Sequence, residues 1–153
     1  MRGRFLTVTP FLAARDLSGS LAFYRDVLGF ECELLFPEPP QTPTLLILRK
    51  DETTIMFDAA LWREQNGGTP LLTGALRFDL GKVAGFGTAA LAQGGMRGSA
   101  VMSILSKIKA AGAPILWGPE VYFYGRREFS CADPNGYALI FSEETDEPAT
   151  DAG

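Results

Sequence analysis

The stretch YGRREFSCADPNGYALIFSEE, residues 124–144, decides how the chain is read. Residues 126–132 and 137–142 carry the residue types of two strands, and the DPNG between them is a tight-turn sequence that folds one back on the other. In a strand, side chains alternate between faces, so Arg126 and Glu128 share one face and Arg127 takes the other. The hairpin ends on the apolar pair Ile140 and Phe141.

Upstream of this hairpin, Val101, Ile104, Leu105, Ile108 and Ala111 fall at helical spacing, with Ser99 as a cap and Gly112 as the stop. Residues 74–80 (GALRFDL) and 113–117 read as further strands, so this half of the chain is β-α-β-β-β. The first half repeats the order. Residues 8–14 read as a strand, Asp16 or Ser18 caps a helix marked by Leu17, Leu21, Tyr24 and Leu28, and Gly29 ends it. Strands follow at 30–36, 45–50 and 53–59, with the proline-rich loop PEPPQTP at 37–43. The distance from Gly29 to the turn at Asp51 is 51 − 29 = 22 residues, and from Gly112 to the turn at Asp133 it is 133 − 112 = 21. That match marks a duplicated module. Ahead of the second helix the repeat is stretched by GKVAGFGTAALAQGGMRG, residues 81–98, which reads as an insertion: a flap or a disordered excursion.

Composition narrows the chemistry. At 153 residues, 46% hydrophobic and 21% charged, the chain has the make-up of a globular domain able to bury a core. It contains no histidine, which removes Ser-His-Asp and Cys-His nucleophile pairs and every imidazole metal ligand. No glycine-rich phosphate loop is present. The net charge of −4 comes from the C-terminal end. Glu143, Glu144, Asp146, Glu147 and Asp151 are five acids, and without them the body stands at −4 + 5 = +1. Residues 143–153 are therefore expected to form an acidic, mobile tail, and nothing points to nucleic acid or membrane as partner. The start of the chain does not read as a signal peptide, which makes the cytoplasm the expected location. Cys32 and Cys131, in strand-like segments without a CxxC, are expected to be free buried thiols.

With the repeat in place, ARDLSGSLAFYRDVLGF (14–30) and GRREFSCADPNGYALIF (125–141) resemble the vicinal oxygen chelate superfamily, which groups glyoxalases, bleomycin resistance proteins and dioxygenases. The resemblance covers residues 5–142. It implies an α+β fold in which two βαβββ modules, 5–60 and 73–142, form one domain (1–142) with a half-open sheet around a cavity, in a homodimer. Metal-using members take His, Gln or Glu ligands from the first and last strands of each module. Aligned on Asp16, those positions fall here on Thr9, Met56, Ala75 and Ile140, none of them a suitable ligand. Ile140 stands where a carboxylate would stand. The resemblance is thus to the metal-free, bleomycin-resistance-like branch, whose members sequester a toxic compound without transforming it.

The expected function is accordingly a binding protein that holds an aromatic or antibiotic-like small molecule in an apolar cleft, with no metal and no other cofactor, and with no catalytic residue assigned. Phe36, Phe57, Trp62, Trp117, Tyr122, Tyr124 and Arg126 are the expected ligand-binding residues: six aromatic faces and one cation. For each aromatic the competing reading is core or interface packing, and for Arg126 it is a structural ion pair with its neighbours. The alternative function is a metal-free lyase or isomerase in which Glu128, Asp58 or Tyr122 moves a proton. A third reading is a non-catalytic dimerising module whose cleft is plugged by residues 81–98.

Overall fold

The helix-spaced apolar residues after Asp16 form α1 (Leu17–Ala22), which runs on as a π-helical turn (Phe23–Val27) and stops at Gly29, where φ is +79°. The computed structural model describes residues 3–64, 75–81 and 98–150, and the side chains of residues 62–64 lie outside that description. The expected insertion falls almost wholly outside it, at 82–97. The chain divides into two units, Met1–Leu71 and Leu72–Gly153.

In the first unit, β1 (Phe11–Ala13), β2 (Glu31–Phe36), β3 (Leu45–Lys50) and β4 (Thr53–Asp58) make a mixed sheet in the order β1-β4-β3-β2, with β1 parallel to β4. A short helix, α2 (Ala59–Glu64), follows β4. β1 is shorter than the expected 8–14: residues 3–10 precede it without regular pairing, apart from the Pro10 carbonyl accepting from Met56 N at 2.9 Å. One face of the sheet carries Leu46, Leu48, Ile55 and Phe57 beneath α1, all fully buried. Tyr24 closes this core, its ring 5.2 Å from Phe57 and 5.7 Å from Phe30.

The second unit repeats the plan with β5 (Ala75–Asp79), α3 (Ala100–Ala110), β6 (Ile115–Tyr122), β7 (Arg126–Ala132) and β8 (Ala138–Glu144), in the sheet order β5-β8-β7-β6. The fold is therefore α+β, two βαβββ modules, each with an open four-stranded mixed sheet. Phe141 is stacked between Phe78 and Phe129, with centroids 5.2 Å away on both sides. α3 packs on β7 and β8 through Val101, Leu105 and Ile108. Ser99 caps α3 as expected, its hydroxyl accepting from Met102 N at 3.0 Å. The DPNG turn forms as expected too: Asp133 Oδ1 accepts from Asn135 N and Tyr137 N at 2.9 and 2.8 Å.

Two expectations are corrected. The acidic tail does not begin at residue 143, because β8 continues to Glu144 and Glu143 is buried. The Glu143 carboxylate accepts from Ser99 Oγ and from the backbone of Ala100 (2.9 Å) and Val101 (3.3 Å), so it neutralises the N-terminus of α3. It also pairs with the equally buried Arg127 at 3.2 Å, and Arg127 reaches Glu147 as well. Thr150 then bonds to Val121. Pairing with a buried guanidinium and a helix terminus thus outweighs the polar, tail-like composition. The second correction concerns the thiols: Cys131 is buried, but Cys32 is exposed, because β2 is the edge strand of its sheet and is exposed over most of its length.

No helix among the described residues is long and apolar enough to cross a membrane. Two predictions follow from these cores. Glu143→Ala leaves Arg127 partly unpaired and three donors at the start of α3 without an acceptor. It should lower unfolding stability by about 3 kcal/mol, seen as a lower urea midpoint at unchanged slope. A loss below about 1 kcal/mol would reduce the pair to the rank of a surface contact. Burial pushes the Cys131 thiol up to about 12, with Asp133 adding to the shift. A thiol reagent at neutral pH should therefore label Cys32 in the native protein and reach Cys131 only after unfolding, as peptide mass spectrometry would show.

Candidate functional site

The face of each sheet turned away from its helix is where a ligand can be met, and the strand registers assign it residue by residue. In the first unit one cross-strand row is Leu34–Ile47–Met56–Phe11, and the next begins Phe36–Leu45. The first row is apolar throughout, and Phe11, Leu34 and Phe36 are exposed. The second row continues through Asp58 to Ala13, and the Asp58 Oδ1 accepts from Ala60 N (2.6 Å) and Leu61 N (3.2 Å) and so caps α2.

The corresponding face of the second unit is polar. Its rows are Arg77–Ile140–Ser130–Trp117, then Asp79–Ser142–Glu128–Glu120, then Glu144–Arg126–Tyr122. Glu128 is only 4% exposed. Its Oε1 accepts from Arg77 Nη2 at 2.9 Å and from Ser142 Oγ at 3.2 Å. Arg126 donates to Ser142 Oγ (Nε, 2.6 Å) and to Asp79 Oδ1 (Nη2, 2.6 Å), with Glu144 at 3.8 Å. The Gly81 backbone N–H, and after it Arg126, hold the Asp79 carboxyl below its ordinary range. Burial, then neighbouring Glu120, pushes the Tyr122 phenol above its ordinary range. The Ser130 hydroxyl is buried and has no hydrogen-bond partner among the described residues.

β6 reaches this face through a bulge. Trp117 opposes Ser130 and Glu120 opposes Glu128, so β6 spends one residue more than β7 over that interval. Gly118 makes the bulge possible. Its φ is +79°, and a Cβ there would lie 2.6 Å from the Glu128 carbonyl oxygen and 2.9 Å from Phe129 Cα. The extra residue turns Trp117 onto the same face as Glu120 and Tyr122, and the rings of Trp117 and Tyr122 meet edge to face at 6.2 Å.

The expected ligand-binding residues are thus distributed unevenly. Phe36 lies exposed on the apolar face of the first unit. Trp117, Tyr122 and Arg126 come together on the polar face of the second. Tyr124 lies in the turn after β6, stacked parallel on Tyr122 at 5.3 Å and half exposed. Phe57 is corrected: it is fully buried beneath α1, because the pleat sends Phe57 to the helix side and its neighbours Met56 and Asp58 to the other. Trp62 belongs to α2, and its side chain lies outside the described residues. Arg126 is engaged by Asp79 and Ser142, so the structural ion pair weighed for it is what forms. Sequence reasoning missed Phe11, Leu34, Ile47, Met56 and Ser130 as members of these faces. The alternation in LLILRK and TTIMFD was the available signal for part of that list.

The four strand positions discussed as metal-ligand positions also change. The residue paired with Met56 is Phe11, not Thr9, and the residue paired with Ile140 is Arg77, not Ala75. Both shifts are two residues, in the same direction, as a true repeat requires. A phenyl, a thioether, a guanidinium and an alkyl group do not fit a hard divalent metal. Among the described residues, no three His, Cys, Asp or Glu side chains gather where they could hold one.

Comparison with known proteins agrees with this architecture. The family described as Glyoxalase/Bleomycin resistance protein/Dioxygenase superfamily matches residues 5–141. Among solved structures, a glyoxalase/bleomycin resistance protein/dioxygenase family enzyme from Burkholderia phytofirmans PsJN is similar at 21% identity and a TM-score of 0.62, over 89% of this chain and 96% of that one. Lactoylglutathione lyase from Agrobacterium tumefaciens is similar at 18% identity and TM-score 0.59, over 92% and 95%. The bleomycin resistance determinant encoded on transposon Tn5 is similar at 19% identity and TM-score 0.57, over 92% and 98%. A comparison with curated proteins gives no match. On the duplicated βαβββ fold and the match across residues 5–141, the chain belongs to the glyoxalase/bleomycin resistance protein/dioxygenase superfamily.

Proposed function

We propose that this protein binds a small aromatic or antibiotic-like molecule and sequesters it without a metal, acting as a cytoplasmic homodimer. The observation that carries this is the apolar face of the first unit, where the row Leu34–Ile47–Met56–Phe11 holds no carboxylate or imidazole, Phe11 and Leu34 stand exposed at its ends, and Phe36 stands exposed in the next row. Exposed aromatic and aliphatic side chains in contiguous rows are the surface that a flat apolar ligand covers. Further support comes from the likeness in fold to the bleomycin resistance determinant of Tn5.

A metal-free lyase or isomerase is the second reading, and one observation favours it: Glu128 is a nearly buried carboxylate on the ligand-facing side of its sheet. The other two candidates are weaker. Asp58 is engaged as a helix cap, and a phenol pushed up by burial makes Tyr122 a poor base near neutral pH.

The test is a thermal-shift screen of the full chain against flat aromatic compounds and, separately, Mn, Ni, Fe and Zn salts. Aromatic binders should raise the midpoint by mass action and be recovered unchanged after incubation. Phe36→Ser should weaken such a binder by about tenfold while costing little stability, because Phe36 is exposed. A metal-dependent shift reversed by chelator would overturn the metal-free part, and chemical turnover of the bound compound would favour the second reading.

A further inference from the structure

On the second unit's ligand-facing side, among the described residues, four carboxylates (Asp79, Glu120, Glu128, Glu144) face two guanidinium groups (Arg77, Arg126). The surplus is concentrated at one corner. Glu120 and Glu128 are direct cross-strand partners, an arrangement in which like charges repel. Glu128 has Arg77 on its Oε1, whereas its Oε2 accepts no hydrogen bond among the described residues. Glu120 has no ion-pair partner among them, since Arg126 is directed to Asp79 and Glu144. The nearest aromatic neighbours on this face are Trp117 and Tyr122, which flank Glu120 along β6.

A pair of carboxylates alone would be an ordinary solvated patch. Two further features set this corner apart. Ser130 lies next to Glu128 on the same face and opposite Trp117. It is 1% exposed and its hydroxyl has no partner among the described residues. A buried hydroxyl without a hydrogen bond is destabilising, and a donor arriving with a ligand would relieve that cost. The second feature is the Gly118 bulge, without which Trp117 would point to the other side of the sheet.

We infer that this corner is a subsite for the protonated amine of an aromatic ligand. The ammonium sits between Glu120 and Glu128, donates to Ser130 Oγ, and lies against the ring of Trp117. Each part has its own physical role. The two carboxylates supply the counter-charge and lose their mutual repulsion. The Trp117 ring adds cation–π attraction, and the hydroxyl selects a group that carries N–H donors. This deepens the proposed function and rests on it: the aromatic molecule that is sequestered is an organic cation.

The test uses the full chain and three probes of one shape: naphthylmethylammonium, naphthylmethanol and naphthoate, titrated by calorimetry and by tryptophan fluorescence. The ammonium should bind about tenfold tighter than the neutral alcohol, and the carboxylate weakest of all. Glu120→Gln, an exposed position whose substitution leaves the core intact, should remove most of the preference for the ammonium over the alcohol. Ser130→Ala should weaken the primary ammonium but not its N-trimethylated analogue, which has no N–H to donate. Equal binding of all three probes would overturn the amine subsite and leave aromatic sequestration standing. Tighter binding of naphthoate would overturn it in favour of an anion held by Arg77. If none of the probes binds while other flat compounds shift the thermal midpoint, the amine subsite is overturned alone; if no flat compound binds, the sequestering function falls with it.

Discussion

The pleat of β7 and β8 is the constraint on which the second unit depends. Arg126 and Arg127 are neighbours in sequence, and the alternation of a strand sends them to opposite sides of the sheet. Arg127 goes to the helix side, is buried, and pairs with Glu143. Arg126 goes to the side away from α3 and holds Asp79 and Ser142. The same alternation separates Glu143, which caps α3, from Glu144, which stays exposed. A shift of one residue in the β7–β8 register would exchange these roles, placing a helix-capping carboxylate in solvent and a surface ion pair in the core. A slip that separated Arg127 from Glu143 would leave buried charge with less compensation beneath α3, which disfavours the shifted register.

The two units share a plan and differ in chemistry. Phe11 and Met56 in the first occupy the places that Arg77 and Ile140 occupy in the second. The face turned away from the helix is apolar in the first unit and charged in the second. A duplicated scaffold holds this difference cheaply, because residues on the ligand-facing side contribute little to the cores under α1 and α3. Those cores are built from the opposite side: Tyr24 over Phe57 in one unit, and the Phe78–Phe141–Phe129 stack in the other.

Local irregularities adjust the regular frame where function is proposed. The bulge at Gly118 adds one residue to β6 and re-aims Trp117. Only glycine satisfies both the positive φ and the closeness of the Glu128 carbonyl. The unsatisfied Ser130 hydroxyl lies in the adjoining strand, so the two departures from ordinary packing coincide in one row.

Much of this was legible in the sequence, and for simple reasons. Helical spacing gave both helices, and the positive-φ glycines at 29 and 112 marked their ends. The DPNG turn gave the last hairpin, and the equal spacing after each helix gave the duplication. The absence of histidine limited the chemistry before any coordinates existed. What the sequence left open were the matters of facing and pairing. Phe57 and Phe36 are equally good aromatic candidates in a string of letters, yet one is core and the other exposed, because a strand's register decides which side each takes. Glu143 reads as the start of a polar tail, and only its closeness to Arg127 and the end of α3 makes it a buried cap. The partners of Met56 and Ile140 lay two residues from where counting put them, since strand alignment is set by hydrogen-bond pairing across the sheet rather than by distance along the chain. Residue type and local spacing are properties of the chain itself; burial, register and the meeting of charges separated by dozens of residues come into being only when the sheet forms.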